Sequence, residues 1–148
     1  MAAVWRKILV PIQFSRRLPD AELELARQLA RANRAKILLL HVVPLSTAVA
    51  ADASFAAQYY IEAQKDAERK LRKIANSKLK KLDVEIVVEV SSPATMIVKQ
   101  AAKLRADLVI MATHGRTGLK RYLLGSVAEQ VVARCPCPLL TIRPGAEH

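Results

Sequence analysis

The chain has 148 residues, 52% hydrophobic but only 4% aromatic, with a formal charge of +11. That length suffices for one domain, and the composition calls for a core of Val, Ile, Leu and Ala. No apolar run reaches the ~18 residues of a membrane span, and Met1 to Gln13 lacks the layout of a signal peptide, so a cytoplasmic protein with no membrane partner is expected.

Five short apolar runs alternate with helical patterns. Ile8 to Ile12 is the first predicted strand, and Pro19 to Asn33 the first helix, apolar at Leu23, Leu25, Ala26, Leu29 and Ala30. Pro19 fits the N1 position, and Asp20, Glu22 and Glu24 in the first turns favour the helix dipole. Ala35 to Val43 is a second strand, whose continuous apolar run predicts burial on both faces. A loop of small residues, Pro44 to Ser54, leads to a long helix from about Phe55 to Leu79. Much of the positive charge lies in Lys65 to Lys81, where Lys and Arg outnumber Asp66 and Glu68. No aromatic residues interleave with these cations and no nucleic-acid module is present. A solvated helix face is therefore expected, rather than a nucleic-acid partner.

Val84 to Val90 is a third strand, which the partly alternating Glu85 and Glu89 place toward a sheet edge. Ser92 and Pro93 give an N-cap and N1 pair opening a helix to about Leu104. Leu108 to Ala112 is the fourth strand and Leu139 to Arg143 the fifth, with a helix from about Ser126 to Arg134 between them. Cys135 and Cys137 flank one proline, a spacing too tight for an ordinary disulfide and wrong for a redox or zinc motif. They read as small half-buried thiols at a strand entrance. The alternation predicts an α/β fold: one domain, an open five-stranded, mainly parallel sheet with helices on both faces. Ligands of such sheets sit beyond the carboxyl ends of strands, at a topological switch point.

The segment from Asp107 to Val132 carries the chemistry. A buried strand, a loop with Gly115 and Gly118, and a helix start at Gly125-Ser126 together make a place for an anion. Glycine permits close approach of the backbone, and the first N–H groups of a helix point at negative charge. The structural alternative is that Gly118 only ends a turn and Gly125-Ser126 only caps a helix, since caps and anion sites use the same groups. There is no G-x-x-x-x-G-K-[ST] loop, no G-x-G-x-x-G after the first strand and no G-x-S-x-G elbow. His114 has no second His, Cys or carboxylate nearby and reads as neither metal ligand nor general base. Donors and cations without paired carboxylates suit holding the phosphates of a nucleotide better than breaking them, so at most slow hydrolysis is expected.

Several separate segments carry a resemblance. A pattern of Gly, two residues, Gly, nine residues, Gly and then Ser or Thr lies across Ala112 to Gly115, Arg116 to Leu124 and Gly125-Ser126. The opening KILVPIQFS, the stretch Leu40-His41-Val42-Val43, the helix start Ser92-Pro93-Ala94 and the tail Cys137-Pro138-Leu139-Leu140 accompany it in order. On these the chain resembles the universal stress protein family along nearly its whole length. The resemblance implies a stress-response protein with strand order 3-2-1-4-5, of the adenine nucleotide α-hydrolase-like kind. It further implies a homodimer and bound ATP, alone or with Mg²⁺ or Mn²⁺. The short apolar fifth strand, Leu139 to Ile142, is the expected dimer edge.

With strands one and four adjacent, Pro11, Ile12 and Gln13 would face Met111 and Ala112 across a cleft for adenosine, with Val42 or Val43 offering backbone groups to the base. The phosphates would cross His114, Gly115 and Arg116 and settle at Gly125, Ser126, Val127 and Ala128, with Lys120 and Arg121 outside. Two positions depart from the nucleotide-binding pattern: Ala112 stands for its first glycine and Gln13 for the aspartate after the first strand. The alanine adds a methyl group and, were positive φ required, about 1–2 kcal/mol. Gln13 keeps an acceptor but loses a charge. The alternative function is an ATP-independent interaction protein of the same fold, binding an anionic or protein partner through its basic surface.

Overall fold

The centre of the sheet forms from runs of Ile, Leu and Val too apolar to face water on either side. In the computed structural model, which describes residues 5–14, 19–113 and 125–143, these runs become β1 (Lys7–Pro11), β2 (Lys36–Pro44) and β4 (Leu108–Ala112). Ile8, Leu9, Val10, Leu39, Leu40, Val109 and Ile110 have no exposed surface. The flanking strands are β3 (Asp83–Ser91), in which no residue is fully buried, and β5 (Leu139–Ile142). Every strand pair is parallel, in the order β3-β2-β1-β4-β5. The expected edge position of the third strand and the expected order both hold.

The helices are α1 (Asp20–Asn33), α2 (Thr47–Ala50), α3 (Ala53–Lys78), α4 (Pro93–Lys103) and α5 (Ser126–Arg134). Strand alternation divides the core in two. Ile8, Val10, Ile37, Leu39, Leu108 and Ile110 pack with Leu23, Ala26 and Ala30 of α1 and Leu71 of α3. Leu9, Leu38, Leu40, Val109 and Met111 pack with Ala94, Ile97 and Ala101 of α4 and Ala128 and Val131 of α5. Full burial of each such side chain contributes roughly 1.5–3 kcal/mol, so these two layers fix the sheet. The ends of β1 and β4 are tied together at their start by Asp107, whose carboxylate accepts from the N–H groups of Arg6 and Lys7 at 2.9 Å.

Helix boundaries correct the sequence reading in two places. Pro19 is the N-cap of α1 rather than N1: its ψ of 43° is not helical, while its carbonyl already accepts from the N–H of Leu23 at 3.1 Å. A carbonyl is all this cap requires of it. Within the predicted loop 44–54, α2 forms a single turn capped by the Ser46 hydroxyl, and Asp52 then caps α3 through the N–H groups of Ser54 and Phe55. Pro93 opens α4 as expected, although Ser92 contributes its carbonyl and not its hydroxyl. Arg34, Lys81 and Arg105 take left-handed φ of 54°, 64° and 55° at the turns that follow α1, α3 and α4. Each departs from the glycine such turns favour, at a cost of roughly 1–2 kcal/mol.

Candidate functional site

The chain runs from β1 outward through β2 to β3, then returns through α4 to place β4 on the other side of β1. The switch point therefore lies between the carboxyl ends of β1 and β4. Right-handed crossovers put α1 and α3 on one face and α4 and α5 on the other, the arrangement in which such sheets form a crevice at the switch point.

Val42, Met111 and Ala128 come together in the layer beneath α4 and α5, all buried. Pro11 shares the parity of Leu9 and so lies toward the same layer, half-buried, and Gln13 is exposed beyond it. Ile12 differs: its side chain is buried in the opposite layer with α1, leaving only its main chain to line the crevice. The N–H of Ile12 donates to the carbonyl of Leu40 at 2.7 Å, extending the pairing of β1 with β2 past Pro11.

Ala112 is half-buried at the end of β4, paired with Ile142 of β5. It is absent from the residues with positive φ, so the alanine carries no backbone strain and adds only the bulk of its methyl. Next to it, Thr113 donates from both N–H and hydroxyl to the carbonyl of Ile142, at 2.8 and 3.3 Å. Gly125 is the N-cap of α5 with φ −63° and ψ 160°, and makes no side-chain cap. Its value is thus the missing side chain above the first turn, not a left-handed conformation. Ser126 is exposed, Val127 half-buried. A first turn leaves N–H groups without intrahelical acceptors and concentrates the dipole's positive end there. Glu129, in the same turn, partly offsets that potential. His114, Gly115, Arg116, Gly118, Lys120 and Arg121 lie outside the described residues.

One contributor was not singled out from the sequence. His41 Nδ1 lies 2.8 Å from the carbonyl of Ile12. Because a carbonyl only accepts, this nitrogen carries the proton and donates. The His41 ring sits 4.5 Å from that of Phe14, over which Lys70 Nζ lies at 5.0 Å from the centroid. Burial pushes the His41 pKa down, the Ile12 bond opposes this, and Lys70 adds to the lowering. A neutral imidazole therefore braces residues 12–14 from behind and fixes where Gln13 emerges. A polar residue within the apolar run of β2 was the available signal.

The remaining candidates behave as packing. Cys135 and Cys137 are half-buried beside the α4/α5 layer with sulfurs 3.8 Å apart. Burial, then the neighbouring Cys135, pushes the Cys137 thiol up to about 12, keeping it protonated at neutral pH. Among the described residues no group of three or more His, Cys, Asp or Glu is arranged for a metal, and no helix is long and apolar enough to cross a membrane. Two recesses among the described residues, of about 600 and 440 Å³, lie along α3 and the turn after it.

Comparison with known proteins decides the family. The profile of the universal stress protein family matches residues 5–143. The chain belongs to that family. A universal stress protein of Methanocaldococcus jannaschii, MJ0531, is 35% identical over 147 residues, covering 95% of this chain and 83% of its own. The structure of MJ0577 from the same organism superimposes with a TM-score of 0.84 at 27% identity, covering 98% of this chain and all of the other. A family protein of Arabidopsis thaliana, solved with AMP bound, has the same fold, with a TM-score of 0.64 at 22% identity and coverage of 95% and 93%.

Proposed function

We propose that this universal stress protein binds an adenine nucleotide, ATP foremost, at the β1/β4 crevice of each subunit of a cytoplasmic homodimer. The observation that carries the proposal is the meeting of the sheet's switch point with the first turn of α5, whose N-cap Gly125 has no side chain to cover it. AMP bound to the Arabidopsis thaliana relative supports the ligand class. In this reading the base lies against the main chain of Val42 and Val43, and the ribose against Pro11, Ile12 and Gln13. The α-phosphate side runs past Met111 and Ala112. The phosphates end on the N–H groups of Ser126, Val127 and Ala128, with His114, Gly115 and Arg116 closing the outer side. Gln13 offers a ribose hydroxyl a neutral acceptor where a carboxylate would bind it more strongly. A Mg²⁺ or Mn²⁺ ion would then be held mainly by phosphate oxygens and water.

This arrangement favours holding a nucleotide over splitting it, and its use is to bias loop order or partner choice. Dimerisation is assigned to β5, which among the described residues pairs only with β4 and leaves Leu140 42% exposed. Edge-to-edge pairing with a second β5 would satisfy those backbone groups.

The test is thermal. ATP at 100 times its Kd stabilises a one-site protein by about 2.7 kcal/mol. A rise in Tm with millimolar ATP is expected, and an unchanged Tm with and without Mg²⁺ would overturn the assignment.

A further inference from the structure

The edge of the sheet farthest from β5 differs from it. β3 spans Asp83–Ser91 and, among the described residues, pairs only with β2. Its outer side presents main-chain N–H and C=O groups along roughly 30 Å, at ~3.3 Å per residue. Edges of that length are usually shortened, bulged or covered, because they template pairing with another chain. None of these devices protects β3 among the described residues, and every residue in it is at least partly exposed.

Beside this edge, α3 forms a cationic wall. Arg69, Arg72 and Lys73 recur at helical spacing with Asn76 and Ser77, and Lys80 follows just past the helix end, around a recess of about 600 Å³. A second recess, about 440 Å³, continues from Arg72 and Lys80 past Lys81 onto Leu82, Val84 and Ile86. The two share Arg72, Asn76 and Lys80, so one groove runs from the helix to the edge strand. Asp66 is engaged upstream by Arg69 and Lys70, and no ion pair is formed by Arg72, Lys73, Lys80 or Lys81 among the described residues. Lys81 is held at φ 64°, which turns the chain at the groove's mouth.

The acids of β3 are kept out of this groove. Val84, Ile86 and Val88 pack toward the α3 side, whereas Glu89 lies on the other face with its carboxylate near Gln100 of α4 at 3.3 Å. Asp83 and Glu85 share the parity of Glu89.

We propose that the β3 edge and the adjoining α3 wall form a docking site for an extended acidic segment of a partner protein, added as a sixth strand. Main-chain pairing supplies the contact common to all such peptides, and side chains of alternating parity supply the selection. Acidic residues on one parity meet Arg72, Lys80 and Lys81, and uncharged ones lie on the face of Glu85 and Glu89. Nucleic acid fits less well: the floor of the groove is aliphatic and offers no aromatic ring for a base. A second copy of this +11 chain would bring cations against cations. The site stands apart from the β1/β4 crevice and is independent of nucleotide.

The test uses the full-length protein and a fluorescent decapeptide of alternating Glu and Thr. Saturable binding is expected, at least fivefold tighter than to a peptide of the same composition with its Glu residues in one block. Amides of residues 83–91 should exchange with solvent at least tenfold more slowly in the complex. Arg72→Glu with Lys80→Glu should weaken binding at least tenfold. Arg31→Glu with Lys103→Glu, an equal charge change at exposed sites on other helices, should alter it less than threefold. Equal affinity for the blocked peptide, equal loss in both double variants, or absent protection in β3 would each overturn strand addition at this site. So would a single-stranded oligonucleotide that binds as tightly and leaves β3 exchange unchanged.

Discussion

Among the described residues at the carboxyl ends of β1 and β4, the polar groups are mainly main-chain amides and neutral side chains such as Gln13 and Ser126. Along α3 they are guanidinium and ammonium groups on long, exposed stems. Both surfaces suit negative charge, yet they would discriminate differently. Fixed amides at a helix start hold one compact anion in one geometry and need no net charge. Mobile cations attract many anions at longer range and are screened by salt within about 10 Å at 0.1 M. Among the described residues, much of the positive charge behind the formal +11 therefore lies along α3 and the turn after it, away from the crevice.

The most severe way to break the comparison is to remove what both regions share. Leu39 is fully buried at the centre of the sheet. Leu39→Ala should cost roughly 2–5 kcal/mol in urea unfolding, and binding at both surfaces should fall with the folded fraction. A loss under 1 kcal/mol would mean that β2 does not anchor the core as described.

A smaller change separates the regions. Ala112→Gly combined with Gln13→Asp restores the family's pattern at the crevice. It should tighten ATP binding about tenfold, or 1.4 kcal/mol, in equilibrium titration. Because Ala112 sits in a regular strand, the glycine should also cost about 0.5–1 kcal/mol of stability. Affinity for the acidic peptide should not move. An unchanged ATP affinity would remove Ala112 and Gln13 from any role in the crevice.

The smallest effect is the pH response of the brace behind Gln13. Burial holds the His41 pKa below its unfolded value of 6.5. Between the two values the unfolded chain binds the extra proton, so stability is full above about pH 6.5 and declines as pH falls through the folded value. His41→Phe should flatten this part of the stability profile, measured by urea titration from pH 7.5 to 5. A profile unchanged by the substitution would assign the decline to other groups.

The sheet was legible because each strand is a compact apolar run, and because the alternating Glu85 and Glu89 betray an edge. Helix starts were readable where a Ser-Pro pair or an acidic first turn marks them, as at Ser92 and Asp20. Pro19 was misplaced by one position because a proline carbonyl serves an N-cap as well as its ring serves N1. The turn of α2 escaped notice because four small residues carry no periodicity. At the crevice, composition identified the Gly125-Ser126 helix start, but not that Ile12 points into the opposite layer, which depends on where the parity of β1 is set. The His41 to Ile12 bond joins residues 29 apart in sequence, so the polar residue in the apolar run of β2 marks His41 but not its partner.

The most direct measurement is calorimetric titration of ATP into the parent protein, the Arg72→Glu with Lys80→Glu variant, and the parent at raised salt. The account predicts saturation at one nucleotide per chain, with affinity within threefold in the parent and the charge-reversed variant and only modest weakening in salt. Absence of saturable heat up to millimolar ATP would contradict it. Binding that disappears when Arg72 and Lys80 are reversed would do so equally, by locating the phosphates on α3.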